Sequence, residues 1–384
     1  MADTQLAFAI YSRERLQRVA AVARRVSRPV VRLPRDLPKI SVVVPAHNEE
    51  DSIALVLASL RWQTFPPAAM YVIADNCSDR TAEIAAREDG VQVFATSGNQ
   101  HKKAGALNQL LEQILPAMTD DEMILVQDAD TFLDPSFLEV TSTKVRDGYA
   151  AVGGNFRGRT GGGFCGALQR NEYVRYARDV GRKRGKVLCV TGVGTVFSAG
   201  ALKDVAAGYK DGRLPSPAGG YVYSYATLTE DNFMTLALKS LGYKVLAPGD
   251  AVMTTEVMLS WRELGRQRLR WKRGAIEDLV RFGLSRATIG GWARQFVSLL
   301  GIMATVIYVL SMMISPLIGV RFQPLWLGIT VLYALERAIT VRERGWRVAL
   351  LSATVLFEWA YDMFLQAVHV RALAGAVFRT RREW

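Results

Sequence analysis

Apolar and polar positions follow two rhythms along this chain. From Ile40 to Gln127, short β-branched or aliphatic runs alternate with stretches of helical period. Ile40 to Pro45 reads as a buried strand, and the polar His47 to Asp51 leads into a helical pattern through Leu60. Met70 to Asp75 reads as a second strand, Ser78 to Glu88 as its helix and Val91 to Ala95 as a third strand; a helix over Lys103 to Leu115 and a fourth strand over Met123 to Gln127 follow. Such alternation predicts an α/β domain with a parallel, doubly wound, Rossmann-like sheet and helices on both faces. Ligands of such sheets bind beyond the carboxyl ends of the strands, where Asp75 and Asp128 fall. No G-x-G-x-x-G follows the first strand, so the phosphate-binding turn of a dinucleotide dehydrogenase is missing.

Further on, Gly153 to Gly166 is glycine-rich and reads as a loop, with a helical stretch after it to about Lys183. Tyr221, Tyr223 and Tyr225 alternate, which predicts three rings on one face of a strand, either a sugar-facing platform or an aromatic edge strand. Thr229-Glu230-Asp231 opens a helix that stops at Gly242, and Ser260 to Arg281 is a helix basic on one side.

The second rhythm begins near Ala293, where apolar residues take over. Residues 296–320 form an uncharged run long enough to cross a bilayer, which needs roughly 20 residues. Residues 324–341 are apolar apart from Glu336 and Arg337, and 348–370 apart from Glu358 and Asp362. Three spans are the favoured count, although they leave the basic tail (Arg379, Arg381, Arg382) on the side opposite the first domain. Two spans with the third segment at the interface remove that conflict. Glu358 and Asp362 are functional or subunit-facing if the segment is intramembrane, and solvated if it is interfacial.

A net charge of +12 suits nucleic acid, an anionic membrane or phosphorylated substrates. The arginines crowd into 13–35, 262–286 and the C-terminus, beside apolar stretches, which favours the cytoplasmic leaflet over nucleic acid. Residues 10–26 read as a basic amphipathic helix carrying five arginines, either a surface helix or a membrane contact. Early charges at Arg13, Glu14 and Arg15 interrupt any signal-peptide core. Three scattered cysteines, Cys77, Cys165 and Cys189, provide neither a zinc nor a disulfide framework and fit a reducing cytoplasmic setting.

Chemistry concentrates at three places. Asp128 and Asp130, two apart at a strand end, can project to one side as hard oxygen ligands for Mg²⁺ or Mn²⁺, though acidic residues after strands are also common turn formers. Thr229-Glu230-Asp231 reads locally as a threonine-capped helix start. Gln267, Arg270 and Trp271 share one helix face; they suit a diphosphate and a sugar ring, or the helix lies on lipid.

From about Ile40 to Gly274, the order of these pieces resembles the membrane-bound family 2 glycosyltransferases, the group of cellulose, chitin, hyaluronan and poly-N-acetylglucosamine synthases. The resemblance implies a GT-A nucleotide-sugar-binding domain over 39–255, interface helices over 256–294, a transmembrane region over 295–384 and an N-terminal arm over 1–38. It implies sugar transfer from a UDP-sugar to a glycan or lipid-linked acceptor. In that reading Ala46, Glu49 and Asp75 hold the nucleoside, and Asp128 and Asp130 the metal and nucleotide. Lys103, within Lys103-Ala104-Gly105-Ala106-Leu107-Asn108, approaches the phosphates or is a solvated lysine at a helix start. Asp231 becomes the general base of an inverting transfer, ionised by its helix N-terminus yet weakly basic, so that proton transfer comes late. Gln267 and Arg270 hold the diphosphate; Gly192, Gly194, Thr195, Glu230 and Trp271 hold the acceptor. Gln267-Arg268-Leu269-Arg270-Trp271 most resembles poly-N-acetylglucosamine synthases, and the Phe-Phe-Cys-Gly of cellulose synthases is absent.

Membrane lipids, and a homo-oligomer formed through the apolar region, are the expected partners, with the catalytic domain cytoplasmic. Processive synthesis competes with single transfer to a lipid or polyprenyl-phosphate acceptor. A non-catalytic nucleotide-sugar-binding scaffold predicts loss of Asp128, Asp130 or Asp231, and all three are present.

Overall fold

The computed structural model describes residues 38–215, 219–315, 317, 319 and 324–380. The expected N-terminal arm, apart from Pro38, and Arg381 and Arg382 lie outside the described residues.

Strands β1 (Ile40–Ala46), β2 (Ala69–Ala74), β3 (Val91–Ala95) and β4 (Met123–Gln127) alternate with helices α1 (Ile53–Arg61), α2 (Thr81–Ala86) and α3 (Lys102–Ile114). The strands pair in parallel in the order β3-β2-β1-β4. Side chains of period two divide the sheet into two faces. Val43, Ile73, Ile124 and Val126 pack with α3 on one side, while Val42, Val44, Val72 and Leu125 pack with α1 on the other.

Beyond this unit the sheet departs from the all-parallel expectation. β5 (Phe132–Leu133) and α4 (Phe137–Arg146) lead to β6 (Ala151–Gly153) and β7 (Asn155–Gly158), so the predicted glycine loop is partly strand. Helix α5 (Gly163–Arg182) follows, and then β8 (Gly194–Ser198) runs antiparallel to both β4 and β6. After α6 (Ala199–Lys210) and α7 (Glu230–Ser240), β9 (Val245–Leu246) completes a seven-stranded sheet. β10 (Val252–Thr255) joins β5 and β7 in a second sheet of three strands.

The crevice originates in β1. Its pairing with β4 ends at Val43, whereas pairing with β2 continues to Ala46. The Ala46 carbonyl accepts from the Asp75 amide, so Ala46 faces β2 and, by alternation, Pro45 faces β4. A proline has no N–H to give a neighbour. Here the neighbour has already diverged, which reconciles Pro45 with a central strand and opens the sheet at the point where strand order reverses.

Helix α8 (Trp261–Phe282) starts with a capping box between Ser260 and Glu263. Among the described residues two helices are long and apolar enough to cross a membrane: α9 (Ile289–Ile314), and α10 (Pro324–Val341) with the turn that extends it to Arg344. The third apolar segment is not one straight span: α11 (Trp346–Ala353) and α12 (Leu356–Val377) are bent by 69° at their junction, and only as a pair do they combine the length and apolar composition of a span. α12 instead lies parallel to α8, with Trp261 against Phe364 (5.3 Å between ring centroids) and the Arg273 guanidinium donating to the Thr380 carbonyl (2.6 Å).

The two carboxylates of this segment are tied down rather than solvated. Glu358, 1% exposed, accepts from Asn171 (2.6 Å) and Ser352 (2.9 Å) and pairs with Arg175 of α5 (3.0 Å). Asp362 is paired with Arg337 and Tyr333. Removing one member of a buried ion pair costs about 3–5 kcal/mol, because the other is left uncompensated. Glu358→Ala is therefore expected to lower the thermal unfolding temperature in detergent and to expose the α11–α12 junction to protease; wild-type behaviour in both assays would show that this contact does not hold α12.

Candidate functional site

The segments after β1 and β2 knit together first. Asn48 and Asn76 adopt left-handed backbone (φ 56° and 50°), as does Lys102 at the start of α3 (φ 51°). Such conformations cost energy in residues with side chains, and they gather here around one crevice. His47 Nδ1 lies 2.6 Å from the Asp75 carbonyl oxygen. The Asp75 side chain is buried, and its Oδ1 accepts from Asn99 (2.7 Å), Thr96 (2.9 Å) and Asn76 (3.1 Å). Asn99 also donates to the Lys102 carbonyl (2.8 Å), fixing α3 relative to this pocket. Ala46 is buried beside it. Glu49 accepts from the Ser52 hydroxyl (2.7 Å).

Lys103 is the junction. Its ammonium donates to Asp128 Oδ1 (2.5 Å) and to the Gly192 carbonyl (2.9 Å), and lies 3.4 Å from Glu230. It is thus neither solvated nor free. Burial opposes its charge, but Asp128 and Glu230 outweigh burial and raise its pKa. The Gly192 amide donates to Asp231 Oδ2 (3.1 Å), and a Cβ at Gly192 would approach that carboxylate to 3.2 Å. Side chains from α3, the end of β4 and the start of α7 therefore meet the backbone of the 190–194 loop directly.

This cleft is short of positive charge. Burial raises the pKa of Asp128, of Asp130 and of Glu49; the remaining carboxylates, Glu256 among them, push the same way. Glu230 behaves oppositely: burial is overcome by Lys103, with Arg270 assisting, and its pKa is lowered. Among the described residues no cluster of three His, Cys, Asp or Glu side chains forms a complete protein cage for a metal. The surplus of carboxylate oxygen at Asp128 and Asp130 nevertheless suits a divalent cation that takes its other ligands elsewhere.

Asp231 departs from the weakly basic carboxylate expected of a helix N-terminus. Burial, then the neighbouring Glu230, push its pKa up to about 6, outweighing the amides of Asn232 and Gly192 that bond to it. Thr229 is not the expected cap either. Its oxygen accepts no amide of the first turn, and its hydroxyl donates to the buried carboxylate of Asp278 of α8 (3.1 Å), a charge-assisted bond.

Other expectations are redirected. Tyr221, Tyr223 and Tyr225 lie in bends, not a strand. Asn108, fully buried, takes the Val222 and Tyr223 amides and donates to the Tyr223 carbonyl, occupying groups a sheet ladder would use. Tyr225 stacks on His101 at 4.0 Å. Gly194 lies within β8, where a Cβ would meet Met253 Sδ at 2.9 Å, so it serves packing and not the cleft surface. Thr195 is buried and donates to the Thr191 carbonyl (2.7 Å), which shapes the loop carrying Gly192.

On α8, Arg270 is exposed and near enough to act on Glu230 and Lys102. Gln267 accepts from Arg268 (3.0 Å), and the Arg268 guanidinium covers the Trp271 ring at 4.3 Å. Arg268 was not marked by the sequence. It is 3% exposed and pairs with Glu172 (2.9 Å), which also accepts from Tyr361 of α12 (2.6 Å).

Residues 38–274 match the family described as glycosyltransferase like family 2. The chain belongs to that family. Similar curated proteins include the poly-β-1,6-N-acetyl-D-glucosamine synthases of Staphylococcus epidermidis (28% identical over 249 residues, 63% of this chain and 56% of the relative) and Staphylococcus aureus (27% over 253 residues, 64% and 57%). The chain thus spans little more than half the length of these relatives. Among solved structures it resembles the mannosyltransferase PcManGT of Pyrobaculum calidifontis, determined with GDP-Man and Mn²⁺: TM-score 0.58, 16% identity, 91% of this chain and 89% of that one. This likeness establishes the glycosyltransferase family 2 fold, GT-A in type, for the domain around the crevice.

The raised pKa values fix a stability trend with pH. A carboxyl whose folded pKa lies above its unfolded value contributes stability below the unfolded value and loses it as pH rises through the folded one. Asp231 (about 6) and Asp278 (about 7, raised by burial) both work in this direction. Thermal stability of Asp231→Asn is expected to fall less than that of the wild type between pH 4 and pH 7, and parallel curves would contradict the assigned environment.

Proposed function

We propose that the chain transfers a sugar from a UDP-sugar to a glycan or lipid-linked acceptor at a membrane surface, inverting the anomeric centre. The observation that carries this reading is the convergence of Lys103, Asp128, Gly192, Glu230 and Asp231 in one cleft. Family membership and the polymer synthases among the relatives support it.

Asp75 supplies an oxygen, Oδ2, free of protein donors among the described residues and suited to a nucleobase N–H; Ala46 and Glu49 form the adjoining wall. Asp128 and Asp130 would hold Mg²⁺ or Mn²⁺, which, when bound, neutralises charge on the departing diphosphate. Arg270 and Gln267 meet the same diphosphate from α8, as charge-assisted donors. Lys103 keeps Glu230 ionised and holds the Gly192 loop, and the Gly192 amide orients Asp231. Asp231 takes the proton of the acceptor hydroxyl as that oxygen attacks C1 opposite the leaving group. A pKa near 6 makes it a stronger base than an ordinary carboxylate, while it stays ionised at neutral pH. Trp271, Thr195 and Glu230 border the acceptor side, and α9 and α10 anchor the cytoplasmic domain in lipid.

Asp231→Asn is expected to bind UDP as the wild type does and to lose transfer by about 10²- to 10⁴-fold, the usual contribution of a general base; full activity would remove Asp231 from the mechanism. The wild-type kcat should rise with pH to a plateau above about 6, as the base ionises. Asp130→Ala should abolish metal-dependent UDP binding in calorimetry, and unchanged binding would count against the metal site.

A second reading, single transfer to a lipid or polyprenyl-phosphate acceptor, is favoured by the helices themselves. Among the described residues two are long and apolar enough to span, and the third segment is bent and fastened to α5 and α8, so these segments by themselves offer few walls for a closed channel. Sizing the product made from radiolabelled UDP-sugar distinguishes the two readings: a ladder means polymerisation, one lipid-soluble product means single transfer.

A further inference from the structure

Asp278 is a fully buried carboxylate about one turn before the C-terminal end of α8 that the chemistry above does not use. Its surroundings come from a different element. Thr227 Oγ1 lies 2.9 Å from Oδ1 and 3.2 Å from Oδ2; Thr229 Oγ1 (3.1 Å) and Asn232 Nδ2 (2.9 Å) both donate to Oδ2. These three residues bracket Glu230 and Asp231. Arg281, one turn further along α8, contributes the favourable charge that faces the carboxylate.

A second feature points the same way. Gly274, one turn before Asp278, lies so close to α7 that a Cβ there would come within 2.5 Å of Thr229 Oγ1 and 3.1 Å of Leu228 Cβ. Without that close approach Thr229 could not sit between the helices and reach Asp278. Gln267, Arg270, Trp271, Gly274 and Asp278 are spaced at i, i+3, i+4, i+7 and i+11, a single stripe along α8. The stripe carries the diphosphate-facing residues at one end and the hold on α7 at the other.

We infer that Asp278 is a positioning residue: by gathering Thr227, Thr229 and Asn232 it sets the first turn of α7, and thereby aims Asp231, from the same helix that presents Gln267 and Arg270. This inference rests on Asp231 acting as the base. The helix start has no side-chain cap of its own, and the Thr229 hydroxyl donates to Asp278. The position of Asp231 is thus set by α8 as well as by the Gly192 amide.

The test compares full-length wild type, Asp278→Asn, Asp231→Asn and the double variant, in detergent, by kcat, donor KM and thermal unfolding. An asparagine of equal size removes the charge and turns a nitrogen toward donors that had faced an oxygen, so either Thr227 reverses its hydroxyl to accept or the bonds from Thr229 and Asn232 are weakened, in both cases without a cavity. Asp278→Asn is expected to lower kcat by about tenfold, part of what a misplaced base forfeits, with donor KM within about twofold of the wild type. It should add nothing further in the Asp231→Asn background, the non-additivity of residues acting as a unit. Thr229→Val should reproduce the fall and Thr229→Ser should not, since only the serine keeps the hydroxyl.

Full kcat in Asp278→Asn, or a joint change of kcat, donor KM and unfolding temperature, overturns the inference and leaves the base assignment standing. Full activity in Asp231→Asn overturns both.

Discussion

The cleft depends on one cation. Lys103 is the only ammonium in direct contact with the carboxylates of Asp128 and Glu230 among the described residues, and its third bond ties the Gly192 carbonyl. Four acids around it carry the cost of that arrangement: burial and mutual repulsion raise Asp128, Asp130, Glu49 and Asp231, whereas Lys103 holds Glu230 low. A site with more carboxylates than cations is costly to maintain as a resting state, and it suits a ligand that arrives with a metal ion. The glycosyltransferase family to which the chain belongs is consistent with such a ligand.

The fold makes this concentration of charge possible by parting β1 from β4. Because their ladder stops at Val43, the segments after both strands turn into the gap, and α3 and α7 bring their N-terminal turns to its edges. Helix α8 then acts on the gap from outside the sheet. One of its faces meets α7 through Gly274 and Asp278; another meets α12 through Gly265, Trp261 and Arg273. Arg268 connects the two, buried between the Trp271 ring and the Glu172–Tyr361 pair. The helix that carries Gln267 and Arg270 is therefore wedged between the family 2 domain and the C-terminal apolar segments.

What the sequence revealed was whatever local periodicity controls. The end of the fourth strand at Gln127 was readable from the run before it and that of the second to within one residue (Asp75 expected, Ala74 observed), and with them the placing of Asp75, Asp128 and Asp130. The start of α7, and hence Asp231, followed from helical spacing. What stayed hidden was set by distant partners. Nothing near Thr229 shows that its hydroxyl belongs to a carboxylate 49 residues away, and Asp278 looks like an ordinary acid in a basic amphipathic helix. The helix N-terminus suggested a stabilised Asp231 anion, and burial and Glu230, which only the folded cleft supplies, reverse that expectation. Alternating tyrosines at 221, 223 and 225 carry the signature of a strand, yet Asn108 claims their backbone groups. The direction of β8 and the bend before α12 likewise depend on packing, not on composition.

The central claim is that these separated motifs surround a single metal-bound diphosphate. Anomalous diffraction from the full-length protein crystallised with UDP and Mn²⁺ tests it most directly. The account predicts a manganese peak bounded by the carboxylates of Asp128 and Asp130, with the diphosphate lying between that ion and Arg270 of α8. Manganese bound away from Asp128 and Asp130, or a diphosphate out of reach of α8, would contradict it.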